Sequence, residues 1–520
     1  MKIFNLYKSI GVLALAITLL TSCSEDQYWN DNPLNDPTAP STLPALTSGN
    51  ADFSNYVSLG ASFSAGEISG SVFIKSQEYS FPNLLAEAFS NTVTLTDAGT
   101  EGFFSQPMVN DNIGGLLLNG EVYYRPRLYF NGQAPAYLDA TPTTEISNIL
   151  TGPFNNMGVS GIKSYQFQKQ GFGNIAELGS GANPYFVRMA SSPSATVLED
   201  AVSQDPTFFT ISVMGGNDVL AYATSGGIGT DQTGNFDPST YGPNDITDPN
   251  VFASVESGIV AALTANGAKG VLSNVPYVTD LPYFTSVPFN AVPLDAGTAA
   301  LLNGAFAEYN GGLQAAESVG FITAEERAAR TITFSAGQNA VTLVDKDLTD
   351  LSPLGCVVCL PSYRQATSDD LVLLPASAII GTLVNDNPQL INGVSVPLED
   401  KLVLTDLETQ NVLTATDAYA AVVEGLAVQH DLAYVDLRAI LAEAASPTGI
   451  MFDDFNMSTQ LIFGGLVGLD GVHLTARGYA LMANKFLEAI DTTYLSNFEA
   501  SGSMLKAGNY VVIYPENLPN

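Results

Sequence analysis

The sequence is short of three things that protein chemistry often relies on: histidine, cysteine and positive charge. Its 520 residues include two His, three Cys and one Trp, and set 18 Lys and Arg against 52 Asp and Glu, a formal net charge of −34. So few cations exclude a nucleic-acid partner, because affinity for a phosphate backbone comes largely from Lys and Arg releasing counterions. Adhesion to anionic lipid headgroups is excluded on the same electrostatic ground. Two histidines leave no room for a His-rich metal centre, and any acid–base role of imidazole falls on His430 or His473. No later stretch offers the run of about 20 apolar residues that a membrane-spanning helix needs. What is abundant points to a packed interior: 46% of residues are hydrophobic and 13% charged, with 22 Tyr and 27 Phe. Such a composition excludes disorder as a description of the whole chain and allows a large core.

The N-terminus reads as an export signal. Lys2 and Lys8 form a basic segment, and Ile10 to Leu20 is an apolar run of 11 residues, too short to span a bilayer. The next residues, Leu20-Thr21-Ser22-Cys23, resemble a bacterial lipobox, and Glu25-Asp26 resembles the surface-export signal of Bacteroidetes lipoproteins. These resemblances imply cleavage after residue 22 and lipidation of Cys23. The chain is then expected in the cell envelope, anchored to the outer membrane and either surface-exposed or periplasmic. Residues 23–50, rich in Asp, Asn, Pro, Ser and Thr, read as a flexible tether, and Trp29 sits in it. The folded domain is expected over 51–500, with order beginning near Phe53 and a C-terminal extension over 501–520.

Hydrophobic patterning along the domain alternates between strand and helix. Tyr56 to Leu59 is a short apolar strand that stops at Gly60, and a helical run follows near Pro82 to Ala88. Residues 207–214 form a continuous aromatic and β-branched run ending in Gly215-Gly216. Helical spacing over 252–267 precedes a strand at Gly270 to Val275. Helical spacing over 417–430, behind a Thr416/Asp417 cap, precedes a strand at Leu432 to Leu437, and residues 475–490 form a last helix. Strands apolar on both faces, alternating with helices, predict an α/β fold: a three-layer α/β/α sandwich around a central parallel sheet. In such sheets ligands bind at the carboxyl ends of the strands, where the loops after Gly60 and Gly215 fall. Residues 91–150 and 330–405 have a β-like, Gly- and Pro-punctuated texture.

Four short stretches carry groups suited to acyl transfer. Gly60-Ala61-Ser62 places a serine at a tight strand-to-helix turn, with its hydroxyl exposed and its N–H at a helix start. In Asn155 to Gly161, the loop glycine Gly161 allows close backbone approach, so its N–H suits an oxyanion. Gly215-Gly216-Asn217-Asp218 puts an Asn amide at the end of the most hydrophobic strand. Asp470-Gly471-Val472-His473 places a carboxylate three residues before an imidazole, where it reaches Nδ1 and leaves Nε2 for the nucleophile. Each stretch alone is ordinary turn or cap chemistry.

Taken in chain order, the four stretches resemble the SGNH/GDSL hydrolase family, and Tyr56 to Gly66 with Ser80 to Asn83 resembles its long Bacteroidetes lipoprotein members. Asn274-Val275-Pro276 and His473-Leu474-Thr475 followed by Gly478-Tyr479 fit the same likeness, which runs from Phe53 to Ile490. The resemblance implies a flavodoxin-like sandwich and a serine esterase or lipase that needs no cofactor. Its implied roles are Ser62 as nucleophile, His473 as general base, Asp470 as the residue orienting it, and Ser62 N–H, Gly161 N–H and the Asn217 amide as oxyanion hole. The substrate would be a small-molecule, lipid or acylated-glycan ester. Ala61 stands where the family usually has Asp, and the wide spacing of the four blocks implies insertions, the largest over about 290–405. A rival expectation is a non-catalytic surface lipoprotein that binds glycan or lipid on a degenerate scaffold of this type.

The remaining chemistry-bearing residues read as structural. Cys356 and Cys359 are expected to form a local disulfide outside the cytoplasm. His430 ends a helix, where a cation is favoured by the dipole. The acidic loop Asp231 to Asp237 lacks the twelve-residue pattern of an EF-hand.

Overall fold

The computed structural model describes residues 43–93, 103–351 and 360–519; the expected lipidation at Cys23, the Cys356/Cys359 pair and Trp29 lie outside them. Leu46–Glu499 together with Ser503 onward form one compact unit, and Leu43–Ala45 group separately with Ala500–Gly502. The first of these units carries the α/β fold.

Its centre is a five-stranded sheet of β1 (Tyr56–Gly60), β2 (Asn156–Gly158), β3 (Phe208–Ser212), β4 (Lys269–Ser273) and β5 (Ala433–Val435). Every pairing is parallel and the strand order is β5-β4-β3-β1-β2. Parallel strands covered on both faces must be apolar throughout, and all five residues of β1 and of β3 are buried. The helices that follow the strands are α1 (Ser62–Ala65), α2 (Phe81–Ser90), α3 (Gly216–Thr224), α4 (Pro249–Thr264), α5 (Asp406–Gln429) and α6 (Ala476–Tyr494). They pack in two groups. Phe81 of α2 meets Phe486 of α6 at 5.1 Å between ring centroids, and Phe252 of α4 stacks on Tyr419 of α5 at 4.3 Å. The expected three-layer sandwich is the observed one. The order is that of flavodoxin-like sheets, in which the chain turns back between β1 and β3 and opens a crevice at their carboxyl ends.

Three expected boundaries move, each for a physical reason. The main compact unit already includes Leu46, ahead of Phe53, because Leu46 packs on the core and Asn50 N–H donates to the Tyr494 carbonyl at 2.7 Å. The strand expected over 207–214 ends at Ser212, because Val213 turns into the left-handed region at φ 52°. The helix expected behind Thr416 and Asp417 begins eleven residues earlier, at Asp406. Thr405 caps it together with Glu408, while the Thr416 hydroxyl bonds back to the Val412 carbonyl at 2.7 Å.

The stretch before α5 builds a subsidiary core of its own, in which Val292, Phe306, Ile332, Leu343, Val372 and Val403 pack together. Its β-like texture resolves into short antiparallel pairs, such as Val292–Leu294 with Gly337–Asn339 and Thr342–Val344 with Tyr363–Gln365. A buried Arg364 ties it together with bonds of 2.6 to 2.7 Å to Asp345 and Asp370. Near the end of the chain, Ala507, Tyr510 and Tyr514 are buried in the main core. Among the described residues no helix is long and apolar enough to cross a membrane, and no group of three acidic, His or Cys side chains is placed to hold a metal ion.

Candidate active site

The site forms where β1, β2 and β3 end. Gly60, the last residue of β1, pairs with Gly158 on one side and Ser212 on the other. α1 starts two residues later and lies directly over these strand ends. A Cβ on Gly158 would stand 2.5 Å from the Ser64 carbonyl carbon, and one on Gly60 would stand 2.9 Å from the Ser212 hydroxyl. The glycines therefore make room for the turn that presents Ser62. Ser62 is the first residue of α1, so its N–H has no partner within the helix. Ser62 lines a cavity together with Asn217, although the residue is only 7% exposed.

The loop after β2 carries Gly161, which adopts φ 80°. Four side chains fix this loop. Asn217 donates to the Ile162 carbonyl at 2.8 Å, Asn183 donates to the Ser160 carbonyl at 2.8 Å, and Asp218 accepts from Ser164 N–H at 2.9 Å and its hydroxyl at 2.6 Å. The Ser160 hydroxyl donates to Glu67. Asn217 itself is held by a strained turn. Val213 and Gly215 both have positive φ, and a β-branched residue in that region costs about 1–2 kcal/mol. Val213 N–H donates to the Ser273 hydroxyl at 3.1 Å, which helps hold the turn. Asn217 spends one amide N–H on Ile162 and keeps a second for a ligand oxygen.

His473 and Asp470 lie in the loop before α6, which Thr475 caps through Gly478 N–H at 2.9 Å. Asp470 Oδ2 receives His473 Nδ1 at 2.7 Å and Gly70 N–H at 2.5 Å; its Oδ1 receives Val472 and His473 N–H, both at 2.9 Å. Burial pushes the Asp470 carboxyl up, but the charge of His473 and these hydrogen bonds outweigh it, so its pKa lies below the ordinary value. The loop is thereby tied to the segment after α1, since Leu469 N–H also donates to the Ser69 hydroxyl. Phe63, next to Ser62, meets the His473 ring edge-on at 5.9 Å.

A residue that sequence reasoning missed completes this arrangement. Glu67 Oε2 stands 3.7 Å from His473 Nε2, on the edge of the ring opposite Asp470. Burial lowers the pKa of the imidazole, but the two facing carboxylates, Glu67 and Asp470, raise it to about 9. Glu67 thus links His473 to the Gly161 loop through Ser160. Asn183 was missed as well, and Ser160 and Asp218, though inside the quoted stretches, were given no role. Each acts on a residue far away in sequence, so no local pattern marks it.

The structure brings Ser62, Gly161, Asn217, Asp470 and His473 together at one end of the sheet. His430 caps the end of α5 at the opposite edge, near Thr264. Two hollows flank the site. One, of about 80 Å³, is lined by Ser62 and Asn217 and otherwise by apolar residues and glycine, Ala61 among them. The other, of about 750 Å³, opens beside Gly161 and is lined by Tyr123, Tyr124, Tyr165, Tyr241, Lys169 and Asn183, among others. A hydroxyl at a helix start, N–H donors beside it and an imidazole aligned by a carboxylate are the parts that nucleophilic acyl transfer requires. No family model, curated protein or solved structure matches the chain.

Proposed function

We propose that the chain is a serine ester hydrolase of the SGNH type. The observation that carries this reading is the meeting of four distant segments at the switch point of the sheet, each contributing the group its role needs. In the proposed reaction Ser62 Oγ attacks the ester carbonyl while His473 Nε2 takes its proton, with Asp470 stabilising the imidazolium. The Ser62 and Gly161 N–H groups and the free Asn217 amide proton receive the developing oxyanion. His473 then protonates the leaving alcohol, and water, deprotonated by the same imidazole, releases the acid from Ser62. We also infer that Cys23 is lipidated and holds the enzyme at the envelope.

The test is turnover of p-nitrophenyl esters by the full chain in detergent. Ser62→Ala and His473→Ala are expected to lower kcat/KM by about 10³-fold or more, and Asn217→Ala by about 10²–10³. No turnover of any ester, or turnover indifferent to Ser62→Ala, sinks the reading and leaves a binding protein on the same scaffold.

A further inference from the structure

The esterase reading leaves the acyl half of the substrate open, and the cavity behind the nucleophile bears on it. The cavity starts at Ser62 and Asn217 and runs between Val213, Leu220, Leu441, Leu474, Leu481 and Met482. Among the described residues in its wall, Ser62 and Asn217 are the only ones with polar side chains, and none is charged. A sugar or headgroup placed there would lose its water and find almost no hydrogen-bond partner, whereas each alkyl methylene gains about fourfold in binding. Most of these wall residues are buried, so the hollow is part of the core and not a patch awaiting a partner surface.

Its size sets the length of chain. A dry cavity of roughly 150 Å³ accepts benzene, with six carbons. About 80 Å³ therefore takes about three carbons beyond the carbonyl. An acetyl group leaves most of the space empty, and a palmitoyl chain exceeds it. The polar, tyrosine-rich hollow that Gly161 lines shares no lining residue with the apolar one and leaves room for a larger, hydrated alcohol.

We propose that the apolar cavity is the acyl pocket and that the substrates are esters of short alkyl acids of butanoyl size. This rests on the esterase reading. The step balances as hydrolysis: the carbonyl carbon gains a bond to Ser62 Oγ and loses the one to the alcohol oxygen, which leaves with the serine proton relayed by His473. Water then restores Ser62 and frees the short acid.

The experiment compares kcat/KM of the full chain for p-nitrophenyl acetate, butyrate, octanoate and palmitate, with Ser62→Ala as the blank. Butyrate is expected to exceed acetate about 15-fold, from two further buried methylenes, and palmitate to fall below butyrate. Leu220→Phe, which narrows the cavity, is expected to lower the butyrate-to-acetate ratio; Met482→Ala, which widens it, is expected to raise the octanoate-to-butyrate ratio. A general loss of fold depresses all esters together and cannot produce these opposite shifts. Ser62-dependent turnover that is best on acetate or palmitate, or ratios unmoved by both variants, overturns the acyl pocket while leaving the esterase standing. If neither variant folds, the wild-type chain-length profile decides alone. Absence of Ser62-dependent turnover on every ester fails the parent reading instead.

Discussion

His473 is held between two carboxylates, and that arrangement dictates how activity should depend on pH. Asp470 faces Nδ1 from its own loop, Glu67 faces Nε2 from the segment after α1, and Tyr479 of α6 donates its hydroxyl to the Glu67 carbonyl at 2.6 Å. A general base must be neutral to accept a proton, and a pKa of about 9 keeps this imidazole charged at neutral pH. The acid limb of kcat/KM is therefore expected near pH 9. Glu67→Gln removes one of the two charges yet keeps an acceptor for Ser160, so the limb is expected to move down by about one unit. Rates near pH 7 then rise by up to about tenfold. A limb that stays in place in the pH–rate profile shows that Glu67 does not set the basicity of His473. Nothing in the sequence announces Glu67. It follows Ser62 by five residues, within reach of any number of roles, and its partner is more than 400 residues away. Ser62, Asn217 and His473 were legible for the opposite reason: each sits beside a glycine-marked strand end or helix start that leaves a local trace.

Among the elements, α4 carries a group that makes folding itself pH-dependent. Glu256 is fully buried, and neither carboxylate oxygen has a hydrogen-bond partner. Burial, with a smaller contribution from Asp218, raises its pKa to about 8. The folded state therefore binds the proton more tightly than the unfolded chain does. Its contribution to stability is complete below about pH 4.5 and is lost as pH rises through about 8. Glu256→Gln is expected to remove that slope and to stabilise the protein above pH 8 by about 1–2 kcal/mol, read from urea unfolding at pH 5 and pH 9. Equal changes at both pH values count against a titrating Glu256. Elements also show where sequence patterns mislead. The start of α5 was hidden because Thr416 and Asp417 resemble a cap while Thr405 and Glu408 form the real one. The core around Phe306 and Leu343 was hidden because pairs of two or three residues are too short for a period to register.

For the whole molecule, the alternation of apolar runs with helical spacing was enough to read a parallel sheet, since strands buried on both faces leave that signature over long distances. Strand order was not readable, because pairing depends on how crossovers wind and not on any one run. The large negative charge, −34, disfavours adsorption to an anionic surface. On the proposed reading, the hold on the envelope comes from Cys23. Cys23→Ala is expected to move the protein from the membrane fraction to the soluble fraction without changing its ester turnover. Persistence in the membrane fraction refutes the lipid anchor.

The order in which the site residues occur along the chain also has a consequence in time. Synthesis delivers Ser62 first, then Gly161 and Asn217, and only near its end Asp470, His473 and α6. On the esterase reading, a nascent or truncated chain holds the proposed nucleophile without its base, and ester turnover is expected only once the last helix has docked.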